Sequence, residues 1–311
     1  MSISDQGRSS FVFSGELFAM RYCQSASRVI CVAAVLVAVG AEIARAEILY
    51  VDNRRGSDSA DGRSAVPQGE EVGPTRTISR ALRLAGKGDT VIVRNTGRTY
   101  YEALHLVGGR NSGFSNLPFT LIGNGVVVDG SRRVPAGAWN FVGAGIWKMT
   151  PWRKGHYQLL LKGKPLPEFR PKTRPKQRPA FPQGQWTVWK GSIYLHTAVG
   201  ERPGEKPYRF AFHSVGVTLY NVRDVQILDF TFQHFRLDGV NAHDLCSRVL
   251  LEKLTIHGNG RSGIAVGGSS AVLVRNCPVG INRIHSVLIS ELGGVKFEDS
   301  KLSKPPTLQE R

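Results

Sequence analysis

The fold-deciding stretch reads Asp224-Val-Gln-Ile-Leu-Asp-Phe-Thr-Phe232, and 24 residues later it recurs as Arg248-Val-Leu-Leu-Glu-Lys-Leu-Thr-Ile256. Apolar residues alternate with polar ones in both copies, which is typical of β-strands. A third copy begins at Val272, after a spacing of 23 residues. A repeat of this length predicts a β-solenoid, in which each repeat forms one coil that buries its apolar residues against the next coil.

A helix is predicted ahead of the repeats. Its apolar residues recur at helical spacing, with Thr77 as a candidate N-cap and Gly86 as the end. They are Ile78, Ala81, Leu82 and Ala85. Gly88-Asp-Thr-Val91 then leads into the first strand of the coils. We interpret the helix as a cap, because the first coil of a solenoid has an open apolar end that must be covered.

These stretches resemble the right-handed parallel β-helix proteins of the pectate-lyase-like superfamily, most closely over Gly73–Val93 and Val217–Val274. The resemblance implies an all-β fold, a right-handed parallel β-helix with an N-terminal helical cap. The superfamily includes polysaccharide lyases, glycoside hydrolases, esterases, epimerases and non-catalytic adhesins. The fold therefore leaves the chemistry open.

An inserted antiparallel β subdomain is predicted between the coils. All five tryptophans lie here, at Trp139, Trp147, Trp152, Trp186 and Trp189. Two hairpins are predicted, with turns at Lys162-Gly163 and Lys190-Gly191, and hairpins require antiparallel pairing. Related β-helix proteins often carry such an insertion, so the resemblance supports it.

The N-terminal segment is predicted to be a signal peptide. Arg28 precedes the apolar run Val29–Gly40, and Ala44-Arg-Ala46 forms a small-x-small cleavage site. Met20 is the more ordinary start of such a peptide. Export would place the protein outside the cell, in the periplasm or on the cell surface, with no membrane span in the mature chain.

The chain is thereby divided into five segments. They are the signal peptide (1–46), the cap and first coils (47–130), the inserted subdomain (131–208), further coils (209–283) and a C-terminal tail (284–311). The tail is predicted to be irregular or helical, because the apolar residues around its start approach helical spacing. These residues are Ile281, Ile284, Val287 and Leu288. A natural helical cap and a truncated chain both fit this pattern.

The formal net charge of +17 indicates what kind of molecule the protein is expected to bind. An exported basic protein is not expected to meet nucleic acid, and an acidic polysaccharide or an anionic surface fits better. Five basic residues and one acidic residue lie in the proline-rich loop Pro167–Pro182. The candidate substrate-binding residues are Arg170, Lys172, Arg174, Trp186 and Trp189. The alternative is a solvated linker with the tryptophans in the subdomain core, and the oligomeric state is open.

The candidate catalytic residues are Asp238, Asp244, His257 and Arg261. Asp238-Gly-Val240 resembles the Asp-Gly-Ile of polygalacturonases, but Arg261-Ser262 stands where those enzymes have an Asp-Asp pair, so their mechanism is not carried over. A lyase would use His257 or Arg261 as the base near a substrate carboxyl. The alternative is that these are ordinary turn residues. The cofactor is unknown, with calcium as an option, and no zinc-ligand spacing is present.

The sequence thus leads to an exported β-helix protein that acts on polysaccharide, with a lyase of acidic glycans as the first hypothesis. Two alternatives stay open. One is a non-catalytic carbohydrate-binding or cell-surface protein, and the other is an inactive truncated paralogue. Whether the chain is an enzyme at all is uncertain, because no pair of acids on adjacent coils marks a glycoside hydrolase.

Overall fold

The structure is a computed structural model that describes residues 46–173 and 175–309. The predicted signal peptide lies outside the described residues, apart from Ala46. One α-helix, α1, spans Ile78–Leu84, and two 3₁₀ helices span Ala136–Ala138 and Pro203–Glu205 in the described part. No helix within the described ranges is long and apolar enough to cross a membrane.

The strands fall into three groups along the chain. The first group is β1 (Ile48–Val51), β2 (Thr90–Val93), β3 (Leu104–Val107) and β4 (Phe119–Asp129). The second group is β5 (Ser131–Arg133), β6 (Asn140–Phe141), β7 (Ile146–Met149), β8 (Leu159–Leu161), β9 (Lys164–Pro165), β10 (Trp186–Trp189), β11 (Ser192–His196) and β12 (Tyr208–Ala211). The third group is β13 (Val215–Tyr220), β14 (Arg223–Gln233), β15 (Asp238–His243), β16 (Ser247–Glu252), β17 (Thr255–His257), β18 (Ser262–Val266), β19 (Ala271–Arg275), β20 (Pro278–Val279), β21 (His285–Ser290), β22 (Gly294–Glu298), β23 (Lys301–Leu302) and β24 (Thr307–Gln309).

The first and third groups form a parallel β-helix, as predicted. One face is the strand order β1-β2-β4-β14-β16-β19-β22, and the opposing sheet is β3-β13-β15-β18-β21-β24. A third face is formed by the second halves of the long strands β4 and β14, which pair with each other in parallel. The strands β17, β20 and β23 of the following coils extend this face. The predicted register is confirmed, because Val225 pairs with Val249 and Val249 pairs with Val272.

The core is a set of apolar ladders that run along the coils. One ladder joins inward side chains of five successive coils on the third face, and its members lie opposite one another in register. They are Val128, Phe232, Ile256, Val279 and Leu302. The first four are buried, and Leu302 at the end of the ladder is partly buried. Each coil therefore depends on its neighbours for burial.

The N-terminal helix has the predicted cap. Thr77 accepts a hydrogen bond from the backbone N–H of Arg80 at 3.1 Å. The Glu102 carboxylate accepts from the N–H groups of Ile78 and Ser79 at 3.0 and 2.9 Å, which satisfies two more donors of the first turn. The helix ends at Leu84, two residues before the predicted Gly86.

The inserted subdomain is antiparallel, as predicted. It consists of the sheets β10-β11-β7-β6 and β5-β12-β8-β9. Both predicted hairpins form, and their turns place Lys162 and Lys190 at positive φ, each followed by a glycine at positive φ. Most of the tryptophans lie in the subdomain core, whereas Trp152 is 93% exposed.

The prediction of a helical or irregular tail over 284–311 is wrong. The coils continue, since β22 pairs in parallel with β19, β21 with β18, and β24 with β21. The apparent helical spacing arose because Ile281 is 78% exposed and lies on a turn between coils, whereas Val287 is buried in a strand. In the last coil, the turn between two strands has Asp299 at positive φ. Lys253 and Asn276 have the same conformation at the equivalent turns of the preceding coils.

The ladder gives a prediction about stability. Replacement of buried Ile256 by Ala leaves a cavity between Phe232 and Val279 and is expected to cost about 2–5 kcal/mol of unfolding free energy. The matched control, Ile281→Ala, removes the same atoms from an exposed side chain and is expected to change stability by less than about 0.5 kcal/mol. Chemical denaturation followed by circular dichroism measures both. Equal effects would contradict the ladder and restore the helical assignment of the tail.

Candidate functional site

A groove of about 950 Å³ lies between the inserted subdomain and the third face of the β-helix. The β-helix supplies its floor from the ends of β14 and β17 and from the turns that follow them. The subdomain supplies its wall from the hairpin β8–β9 and the start of the proline-rich loop. The residues used below are Lys164, Glu168, Arg170, Gln233, His234, His257 and Arg283.

The floor is built on a buried hydrogen bond between a histidine and a carboxylate. His234 Nδ1 lies 2.8 Å from Asp129 Oδ2, and both side chains are buried. Gln233 Nε2 donates to the same carboxylate oxygen at 2.8 Å, and the backbone N–H of Ser131 donates to Asp129 Oδ1 at 2.8 Å. The carboxylate of Asp129 is therefore held by four groups, because the Ser131 hydroxyl donates to it as well.

These contacts set the charge of Asp129. Burial alone raises its pKa, but the hydrogen bond and positive charge of His234, with the hydrogen bonds from Ser131, outweigh burial and lower the pKa to about 2. Asp129 is consequently ionised at physiological pH and fixes the ring of His234. It cannot serve as a proton donor there.

His257 lies beside this pair on the next coil. Its ring stands edge-on to that of His234, with a centroid separation of 6.3 Å and an interplanar angle of 87°. Burial and the like charge of His234 lower the pKa of His257, and only the more remote Asp129 opposes this. A neutral imidazole that faces a groove is a suitable general base near neutral pH.

The wall carries an excess of positive charge. Glu168 accepts from Arg170 Nε at 2.9 Å and from Arg283 Nη2 at 3.0 Å, so two guanidinium groups share one carboxylate. Lys164 adds a third cation to the lining. Arg170 is the more exposed of the two arginines, whereas Arg283 also donates to the backbone carbonyl of Tyr157 and so ties the coil to the subdomain.

The structure separates the four predicted catalytic residues. His257 lies in the groove, but Asp244 and Arg261 line a second depression of about 380 Å³ over the sheet that contains β15 and β18. Asp238 is 0% exposed, and its carboxylate is bound by Arg261, Ser262 and Asn241. A constellation of all four residues around one substrate is therefore ruled out by the fold, and Asp238 and Arg261 form a structural ion pair.

The predicted substrate-binding residues are divided as well. Arg170 lines the groove, and Lys172 is exposed on the loop beyond it. Trp186 touches the groove but is 2% exposed, and its Nε1 donates to the carbonyl of Leu166 at 3.0 Å, so stacking on a sugar ring is excluded. Trp189 packs against a cluster that contains Tyr194. Arg174 lies outside the described residues.

Six residues of the site were missed from the sequence: Asp129, Lys164, Glu168, Gln233, His234 and Arg283. The signal for two of them was present, because β4 pairs with β14 as an interrupted copy of the repeat, with Asp129 opposite Gln233 and Gln233 opposite His257. Arg283 and Glu168 are 115 residues apart and follow no repeat. Within the described ranges, no three His, Cys, Asp or Glu side chains converge as metal ligands.

The Asp129–His234 pair predicts a pH-dependent stability. The pKa of Asp129 is lowered in the folded state, so its contribution is present above about pH 3.8 and is lost as the pH falls towards about 2. By linkage, this contribution is about 2 kcal/mol. The difference in unfolding free energy between the wild type and Asp129→Asn is expected to shrink by that amount between pH 5 and pH 2, as measured by urea denaturation. A difference that does not depend on pH would show that the pair is not formed.

Comparison with known proteins agrees with this architecture. Residues 208–304 match the family described as right handed beta helix region. The structure of XylC in complex with xylose is similar, with a TM-score of 0.55 and 15% identity over 84% of this chain and 60% of that chain. A structure described as a glycoside hydrolase has a TM-score of 0.55 and 12% identity over 79% of this chain and 68% of that chain.

No curated protein matches the sequence. The chain spans about 60% of the length of XylC, and likeness at these identities concerns the fold alone. The coils were predicted to be right-handed, and the family description states the same handedness. The fold is thus a right-handed parallel β-helix, as predicted from the sequence.

Proposed function

We propose that the groove binds an acidic polysaccharide and that the protein cleaves it as a lyase, with His257 as the base. The observation that carries this proposal is the position of His257 on the floor of the groove. The wall of the groove contains three cationic side chains, Lys164, Arg170 and Arg283, and only one carboxylate. Export, predicted from residues 1–46, would bring the protein to such a substrate. The glycan-related names of the two structural neighbours are in keeping with it.

The chemistry asked of the site is a β-elimination. His257 takes the proton from the carbon next to the uronate carboxyl, and the electron pair of that C–H bond becomes a carbon–carbon double bond. The glycosidic C–O bond on the neighbouring carbon breaks, and the leaving oxygen takes a proton from solvent. The products are an unsaturated uronate end and a new hydroxyl-bearing end.

Cations are needed because the abstracted proton becomes acidic only when the neighbouring carboxylate is neutralised. Arg170 is suited to this role, since it is exposed and a second arginine remains on Glu168 if Arg170 turns to the substrate. A guanidinium group binds a carboxylate through two parallel hydrogen bonds, which also orients the sugar. Arg283 is held by its contacts to the subdomain and keeps the wall in place.

Hydrolysis is less well supported. A glycoside hydrolase needs two carboxyl groups, of which one is protonated to act as the acid. Asp129 has a pKa of about 2 and is buried against His234, and Glu168 is shared by two arginines. Because both carboxylates are already bound within the protein, the site equally favours a second candidate, a non-catalytic carbohydrate-binding protein. In that case the same cations bind the glycan without bond cleavage.

The deciding assay exposes the purified chain to a panel of acidic and neutral polysaccharides, with and without added calcium. New reducing ends and the ultraviolet absorbance of unsaturated uronate are recorded together. A rise in both signals on an acidic glycan is the expected result. Reducing ends alone would indicate hydrolysis and would overturn the lyase. Binding without either signal would favour the non-catalytic protein.

The role of His257 gives a sharper prediction. His257→Asn is expected to lower kcat by about 10²–10⁴-fold on the glycan identified by the panel, because the base is removed while the shape is kept. The control, His105→Asn, changes an exposed histidine on β3 and should retain wild-type turnover. Equal losses in both variants would contradict the assignment.

The pH profile follows from the same residue. The base must be neutral, and the pKa of His257 is lowered by burial and by His234. We expect kcat/KM to rise with pH through a midpoint below about 6.5, the ordinary value for histidine. The initial rate on the identified glycan, measured from pH 4 to pH 8, tests this expectation. A rising limb above that value would point to another base.

A further inference from the structure

A second basic cavity lies at the N-terminal end of the β-helix, where the chain leaves β1 and β2. We call it the arginine pocket. It has a volume of about 540 Å³ and is lined by Asp52, Arg54, Arg55, Arg94, Asn95, Thr96 and Arg98. Four arginines thus face a single acid, and none of these residues lines the groove.

The acid in the arginine pocket is already occupied. Asp52 is buried, and its Oδ1 accepts from the backbone N–H groups of Arg54 and Arg55 at 2.8 and 3.0 Å. Its Oδ2 lies 3.3 Å from Arg94 Nη1. The guanidinium groups of Arg54, Arg55 and Arg98 make no hydrogen bond or ion pair with any residue that the structure describes. Three charges are therefore available to a ligand.

The backbone around the arginine pocket is held in place. Asn53 joins its two loops, since its Oδ1 accepts from the Thr96 hydroxyl at 2.5 Å and its Nδ2 donates to the Arg98 carbonyl at 3.1 Å. Asn95 Nδ2 donates to the carbonyl of Asn124 on the next coil at 3.0 Å. A ligand would thus order only the arginine side chains, which keeps the entropic cost of binding low.

An adjoining depression indicates the kind of ligand. It has a volume of about 260 Å³, shares Arg98 with the arginine pocket, and contains Arg76 and the half-exposed Tyr101. One face of the Tyr101 ring is covered by the Arg209 guanidinium, 3.8 Å from the ring centroid, which leaves the other face for a ligand. An aromatic ring next to a basic cavity is suited to a sugar that carries an anionic substituent. A single inorganic ion would occupy only part of the arginine pocket and would leave the adjoining depression unused.

We propose that the arginine pocket, with the adjoining depression, is a second binding site for an acidic oligosaccharide, separate from the groove. The arginines take its carboxylate or sulfate groups through bidentate hydrogen bonds, which lysines would not form. This site would anchor a long polysaccharide on the coils whether or not the groove cleaves it. The inference therefore stands on different residues from the proposed lyase activity.

The test compares two double variants of equal charge. Arg54→Ala/Arg98→Ala alters the arginine pocket, and Arg83→Ala/Arg133→Ala removes two exposed arginines from α1 and β5. All titrations use an Arg170→Ala background, so that binding in the groove is weakened throughout. The probes are a heparin oligosaccharide, a galacturonate oligosaccharide of equal length and inorganic sulfate, followed by isothermal calorimetry.

We expect the pocket variant to bind at least one oligosaccharide about tenfold more weakly or worse, because charge-assisted hydrogen bonds are lost. The control should change the affinity by no more than about twofold. Binding of both oligosaccharides would show that carboxylates suffice, and binding of heparin alone would show that sulfate is required.

Two outcomes would overturn the proposal. Equal weakening in both double variants would mean that net charge alone attracts the probe. Binding of inorganic sulfate without either oligosaccharide would mean a simple anion site. An Arg54→Lys/Arg98→Lys variant guards against misfolding, since it keeps the charge and should still lose part of the affinity. Cleavage of substrate is not measured, so a failure of the lyase proposal would not affect the result.

Discussion

Parallel pairing between successive coils is the constraint on which the rest of the structure depends. Each hydrogen-bonded strand fixes the position of the next, so residues one coil apart stack at the strand spacing of about 4.8 Å. Asp129, Gln233 and His257 occupy one such position in three coils. The floor of the groove is therefore assembled by register alone, without a motif that is continuous in sequence.

The inserted subdomain completes the site by placing charge over this floor. Its hairpin and loop bring Lys164, Glu168 and Arg170 to the edge of the coils. From the β-helix, Arg283 donates hydrogen bonds to the Glu168 carboxylate and to the Tyr157 carbonyl. Partial burial strengthens these interactions and lowers the pKa of the neighbouring His257 imidazole. The coils thus supply a histidine in a fixed position, and the insertion places positively charged side chains around it.

Much of the fold could be predicted because equivalent residues of successive coils stack on one another, which requires apolar residues to recur in the sequence at the length of one coil. The register from Val225 to Val272, the Thr77 cap and both hairpin turns follow from local chemistry. The last coil was missed because its apolar ladder is weaker and Ile281 faces solvent, so burial no longer marks each strand.

The site was harder to predict than the fold. His257 was singled out from the sequence because it ends a repeat strand just before a glycine-rich turn, and the structure places it in the groove. Asp238 and Arg261 resembled catalytic groups by residue type, yet they satisfy each other in the structure. Asp129 and Glu168 come together with their partners only after about 100 residues of intervening chain are folded, as separations of 105 and 115 residues show. Such long-range contacts leave no local pattern.

The insertion has a consequence for the order of folding. Coils after the subdomain meet partners 23 or 24 residues away, whereas Asp129 meets Gln233 across 104 residues. Closing the longer loop costs about 1 kcal/mol more in chain entropy. Local contacts form faster than distant ones. The coils from β14 onwards are therefore expected to assemble as a nucleus, and the N-terminal cap and first coils to dock onto it later, with the groove forming in that last step.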